Sequence, residues 1–146
     1  MTRVAKAYAE NDAMTSVTSS NSKELIILVY EKIFDHLRVA KQELREGRYG
    51  IEFFTKASDL INLGLLASLD YQKGGEIATN LKSIYEWTLG NIIQARLQKS
   101  PEMVQDAIDI LTPLYEAWVS LAEPNSSLPV NLMGSRNLKN IEAKVI

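Results

Sequence analysis

His36 is the only histidine in the chain, and there is no cysteine. Thiolate zinc sites, iron–sulfur clusters, cysteine nucleophiles and disulfide staples are excluded together. A dinuclear carboxylate centre needs two Glu-x-x-His pairs, but Ile33 stands three residues before His36 and there is no second histidine. A Ser/His/Asp triad would have to use His36, which falls beside Asp35 at the edge of a helical apolar stripe and reads as a boundary residue. Gly74-Gly75 would offer backbone amides to an anion, but lacks the glycine spacing and the Lys-Ser/Thr of a phosphate-binding loop, so a turn is the simpler reading. The acidic pairs Glu43/Glu46 and Asp106/Asp109 are spaced as on any solvated helix face. No catalytic constellation emerges, so the chain is read as a non-enzyme with no metal or cofactor.

Any other kind of site must be carried by helices. At 146 residues the chain has the length of one domain, and 46% hydrophobic with 23% charged residues is a globular composition. The longest apolar run, Leu25 to Tyr30, is far too short to span a membrane, and no secretory apolar region follows Met1. The expectation is a cytoplasmic protein without membrane insertion. A net charge of −2 with no clustered basic face sets nucleic acid aside.

Residues 1–20 hold Ser, Thr, Asn and Asp without sustained periodicity and are expected to form a mobile leader. Asn21 and Glu24 resemble a capping box, and Ile26, Val29, Tyr30, Ile33, Leu37, Ala40 and Leu44 then step by three or four, predicting a helix to about Glu46 with Gly47 as its stop. A second helix with Phe53, Phe54, Ala57, Leu60, Ile61, Gly64 and Ser68 on one face is predicted to end near Leu69, and Gly64 implies a close helix contact. A turn is expected over Asp70 to Gly75 and a third helix from Glu76 to Gln98. Ser100-Pro101 then provides an N-cap and a first-turn proline for a fourth helix carrying Val104, Ala107, Ile108, Leu111, Leu114, Tyr115 and Trp118. Pro113 is expected to bend that helix on its solvent side. With no strand-like alternation, the fold class is all-α: an antiparallel up-and-down four-helix bundle over 21–123, followed by a tail or short fifth helix over 124–146.

The third helix has more apolar surface than one buried face requires. Ile77, Asn80, Leu81, Ile84, Trp87, Thr88, Asn91, Ile92 and Ala95 form one stripe, and Ala78, Tyr85, Leu89, Ile93 and Leu97 another on the opposite side. Residues 60–69 are apolar all round, and the first helix begins in the same style. Either the termini or a dimer contact covers these surfaces, or they form a groove for an apolar segment of another protein.

At these residues the sequence resembles the FliS family of flagellin-specific export chaperones. The resemblance runs from about Ala7 to Trp118 through Ala7-Tyr8, Leu25-Ile26, Val29-Tyr30 and Leu69-Asp70. It is strongest over Gly74-Gly75-Glu76-Ile77-Ala78-Thr79-Asn80-Leu81, and continues through Ile84-Tyr85, Leu89, Ala95 and Ala117-Trp118. Val29-Tyr30-Glu31-Lys32 replaces the usual Leu-Tyr-Asp-Gly, Ile84-Tyr85 the second Leu-Tyr, and Ala95-Arg96 an Ala-Asn, while Pro113 interrupts a normally smooth helix. The resemblance implies a cytoplasmic bundle that binds the disordered C-terminal segment of flagellin, prevents premature polymerisation and delivers flagellin to the export gate. Other flagellar regulators are further implied partners, and the free protein is expected to be a monomer or weak homodimer. On this reading Ile77, Leu81, Ile84, Tyr85, Leu89 and Ile93 supply apolar contacts, Asn80 and Asn91 pair with client backbone, and Tyr8 belongs to a leader covering the groove. Core packing is the competing role for Ile77, Leu81 and Ile84, whereas Tyr30 and Trp118 read as core. The alternative is an adaptor bundle that dimerises through the same stripes.

Overall fold

A computed structural model describes residues 22–123. The leader with Tyr8, the proposed cap Asn21 and the tail over 124–146 lie outside the described residues. Helix α1 spans Ser22–Arg45, α2 Ile51–Asp59, α3 Tyr71–Gln98 and α4 Pro101–Ala122, with no strand among the described residues. Helix α1 packs along α2 and α4, and α3 along α4 and α2, so the four close a ring in chain order. Short connections between sequential neighbours produce the up-and-down bundle.

The predicted α1 stripe is buried from Val29 to Leu44, joined by Leu25 and Phe34. Ile26, expected inside, is half-buried. Gly47 takes a φ of 81°, and its amide and that of Arg48 close on the carbonyls of Leu44 and Glu43, which ends the helix where the glycine predicts. At the other connection, Ser100 Oγ accepts the Met103 amide at 3.1 Å and Pro101 opens α4. Val104, Ala107, Ile108, Leu111 and Leu114 are buried as predicted, together with Ile110; Pro113 is half-buried and α4 continues through it.

The second helix departs from a plain α-helix. After α2 the backbone widens into a π-helical stretch, Leu60–Leu65, then tightens into a 3-10 turn, Leu66–Ser68. Gly64 sits inside the wide turn, where a Cβ would stand 2.8 Å from Val29 Cγ1, so the predicted close approach is to α1. Ser68, assigned to the buried face, is exposed, because the change in helical pitch rotates it outward while its hydroxyl donates to the Gly64 carbonyl.

The expected turn over 70–75 is corrected. Asp70 Oδ1 accepts the amides of Gln72 and Lys73, both at 3.0 Å, and this cap starts a helical turn at Tyr71. Gly75 breaks it with φ 51° and ψ −125°, a conformation open mainly to glycine, before α3 resumes. The opposed stripes of α3 are corrected as well. In a ring each helix has two neighbours, so Ala78 and Tyr85 on one stripe are buried together with Ile84, Thr88, Ile92 and Ala95 on the other. What remains outside is Ile77, Ile93 and Leu97, 38%, 56% and 68% exposed.

Candidate functional site

Four chain segments meet at the end of the bundle where α1 begins and α4 finishes. They enclose an apolar groove of about 830 Å³. Ile26 comes from α1, Leu65 from the end of the π-helical stretch and Leu69 from just beyond the 3-10 turn, Ile77, Leu81 and Tyr85 from α3, and Trp118 and Leu121 from α4. The capped turn forms a wall with Asp70, Tyr71, Lys73 and Gly74, and Lys23 at the start of α1 also lines the groove. Its apolar interior with a few charges at the edge suits an apolar segment carrying polar flanks.

Tyr85 closes the base of this groove and Tyr30 lies behind it. Their hydroxyl oxygens are 2.6 Å apart, fully buried, and join α1 to α3 across the diagonal of the ring. Burial drives the Tyr30 hydroxyl well above the usual phenol range; its Tyr85 partner adds to this, while the Trp118 indole acts in the opposite direction. Tyr85 is also raised by burial, with the bond to Tyr30 working against the rise. Both rings therefore remain neutral and serve as directional hydrogen-bonding groups.

The predicted contacts divide between two places. Ile77, Leu81 and Tyr85 line the end groove. Leu89 and Ile93 line a separate, smaller groove of about 310 Å³ between α2 and α3, floored by Phe54 and Ile92 and flanked by Asp59 and Arg96. Ile84 is withdrawn from the contacts: it is fully buried because its position on α3 faces the middle of the ring. Asn91 is corrected too, because its side-chain amide donates to the Met103 carbonyl of α4 at 2.7 Å and ties the two helices together. Asn80 is half-buried and lines neither groove.

Trp118, read as core, is half-buried and forms part of the groove, as do Ile26, Leu69 and Leu121. The signal for Ile26 and Leu69 was present in the all-round apolar character of residues 25–30 and 60–69. His36 is remote from this chemistry. It is half-buried against Phe53, and desolvation, reinforced by Lys56, lowers its pKa and favours the neutral imidazole. Among the described residues no cluster of three or more His, Asp or Glu is arranged to hold a metal, and no helix is long and apolar enough to cross a membrane.

Comparison with known proteins gives this arrangement a context. The sequence model of the family described as flagellar protein FliS matches residues 4–125. The flagellar secretion chaperone FliS of Salmonella typhimurium is 32% identical over 119 residues, covering 80% of this chain and 88% of the relative. Its counterpart in Campylobacter jejuni is 30% identical over 113 residues, 77% of this chain and 85% of the relative. The Vibrio cholerae chaperone of the same name is 25% identical over 115 residues, with 77% and 84% covered. The family match spans the whole described bundle and both grooves, and with relatives aligned over most of their own length the chain belongs to the FliS family of flagellar secretion chaperones.

Proposed function

We propose that this chain is a cytoplasmic export chaperone that holds the C-terminal segment of flagellin, masks it against premature polymerisation and delivers it to the flagellar export apparatus. The observation that supports this reading best is the end groove, where apolar side chains from four segments converge on one accessible cleft. A client segment that is disordered when free can order along such a surface and bury a large area, at an entropic cost that keeps binding reversible. Ile77, Leu81, Tyr85, Trp118 and Leu121 are its proposed contacts. Leu89 and Ile93 would take a second stretch of the same client in the smaller groove, and Asn80, half-buried on α3 between Ile77 and Leu89, would pair with client backbone that passes from one groove to the other.

Residues 1–20, with Tyr8, are proposed to cover the end groove in the free protein. Ser22 and Lys23, the first described residues, already stand at its wall, so the leader joins the bundle at the surface it would mask. Such a competitor reduces apparent affinity and keeps the apolar surface from other partners. The export gate and flagellar regulators are proposed as further partners of the loaded chaperone.

Titration calorimetry with a synthetic peptide of the flagellin C-terminal segment tests this reading. The full chain should bind one peptide with a large negative heat-capacity change. Ile77→Asp should abolish that binding and Ile93→Asp should weaken it, both without loss of helical circular dichroism, because each side chain is exposed. Removal of residues 1–20 should tighten binding. An adaptor that dimerises through the exposed pair Ile93 and Leu97 would instead bind no peptide and would show a concentration-dependent mass in sedimentation.

A further inference from the structure

We infer that the Tyr30 hydroxyl is a positioning group for the client groove: out of reach of any client, it sets where the groove-lining ring of Tyr85 stands. The inference rests on the reading that the end groove binds flagellin. Tyr30 is fully buried on α1 and does not line the groove, whereas Tyr85 on α3 does. The Tyr85 hydroxyl is held by the 2.6 Å contact with Tyr30. Apolar packing tolerates small rotations of one helix against another, but an O–H···O bond weakens steeply with distance and angle. This bond therefore fixes the rotation of α3 about its axis, and with it the positions of Ile77 and Leu81 on the same wall.

Trp118 of α4 lines the same groove as Tyr85 and packs against the core that holds Tyr30. Tyr30 is surrounded by Phe34, Tyr85 and Tyr115 rings at centroid distances of 6.3, 6.5 and 6.4 Å, so its own orientation is set by packing as well as by the bond to Tyr85. One hydroxyl on α1 thus references the wall that α3 supplies.

The test uses the full chain with Trp87→Phe, which leaves Trp118 as the sole indole. Three further changes are compared in that background. They are Tyr30→Phe, the double change Tyr30→Phe/Tyr85→Phe, and Val104→Ala, which perturbs a buried α4 residue that lines neither groove. Tyr30→Phe should shift the Trp118 emission of the free protein and weaken the flagellin peptide about tenfold, the scale of one hydrogen bond. Val104→Ala should lower the melting temperature while leaving emission and affinity unchanged. The double change leaves no orphaned hydroxyl, so it should fold even where the single change is too unstable, and should still show the altered emission and weaker affinity. Wild-type emission or wild-type affinity in the two Phe variants would overturn the inference. If the unaltered chain binds no peptide, the client reading fails, and the emission comparison still decides whether Tyr30 sets the groove walls.

Discussion

The hydroxyls of Tyr30 and Tyr85, 55 positions apart in the chain, meet at 2.6 Å where α1 and α3 face each other across the bundle. The pair makes a polar contact between helices in a core built mainly from aliphatic and aromatic side chains. Each hydroxyl is satisfied only while the other is present. Removing one should cost about 1–3 kcal/mol through the unpaired group left behind, whereas removing both should cost less than the sum of the two single changes. Urea denaturation of Tyr30→Phe, Tyr85→Phe and the double variant measures this coupling, and additive losses would show that the hydrogen bond contributes little to stability.

The same pair makes stability sensitive to alkali. Both phenols are raised in the fold, burial being the larger cause for each, while in the unfolded chain they ionise near the ordinary value of about 10. The folded state therefore retains protons that the unfolded state gives up. Their contribution is complete below about pH 10 and is lost as pH rises from there toward the folded values. Tyr115, held up chiefly by its hydrogen bond to the Glu31 carboxylate, adds to the trend. Phenolate absorbance followed alongside circular dichroism should show Tyr30 and Tyr85 ionising only as the helices melt, and the Tyr30→Phe/Tyr85→Phe variant should lose less stability over that range.

Gly64 should resist replacement even though alanine is the better helix former by about 1 kcal/mol. An added Cβ would meet Val29 Cγ1 at 2.8 Å, and Val29 is fully buried, so α1 and the π-helical stretch would have to separate. Overpacking of this kind costs about 1–3 kcal/mol. Gly64→Ala should lower the denaturation midpoint, and Val29→Ala should be less damaging in that background than in the unaltered chain. Independent losses would place the two residues out of contact.

Gly75→Ala should destabilise the chain by about 1–3 kcal/mol for a different reason. No atom lies within 4 Å of the added Cβ, so space is not limiting; the φ of 51° with ψ −125° is. Relief of that strain would shift the turn holding Asp70, Tyr71 and Gly74, which walls the end groove. The variant should therefore lose peptide affinity as well as stability. Asp70→Ala, which removes the cap but keeps the glycine, should cost about 1 kcal/mol and show a smaller change in affinity. Equal peptide affinity in Gly75→Ala and the unaltered chain would detach the turn from the groove.

Much of this molecule is legible in one dimension because its signals are local. The apolar period places the helices, Ser100 marks the start of α4, and Gly47 marks the end of α1. The small side of Gly64 already implied a close neighbour, although not that the neighbour would be Val29. The run from Gly74 to Leu81 together with the all-round apolar segments pointed toward a surface for another protein, and three of the predicted contacts, Ile77, Leu81 and Tyr85, share one groove.

Tertiary structure decided what helical phase alone leaves open. A period of 3.6 shows which residues share a face but not which face meets a neighbour, so Ile84 went inward, Leu89 and Ile93 went to a separate cleft, and Asn91 was taken up by the Met103 carbonyl. The π-helical widening and the break at Gly75 are responses to packing against α1 and to the turn that Asp70 caps, and neither has a local sequence period to announce it. Trp118 and Leu121 became groove walls because α4 ends beside the start of α1, a relation between residues nearly a hundred positions apart. The sequence by itself determined four amphipathic helices and an excess of apolar surface, since both depend on neighbouring residues; the meeting of Tyr30 with Tyr85, and the groove above them, depend on how distant segments pack.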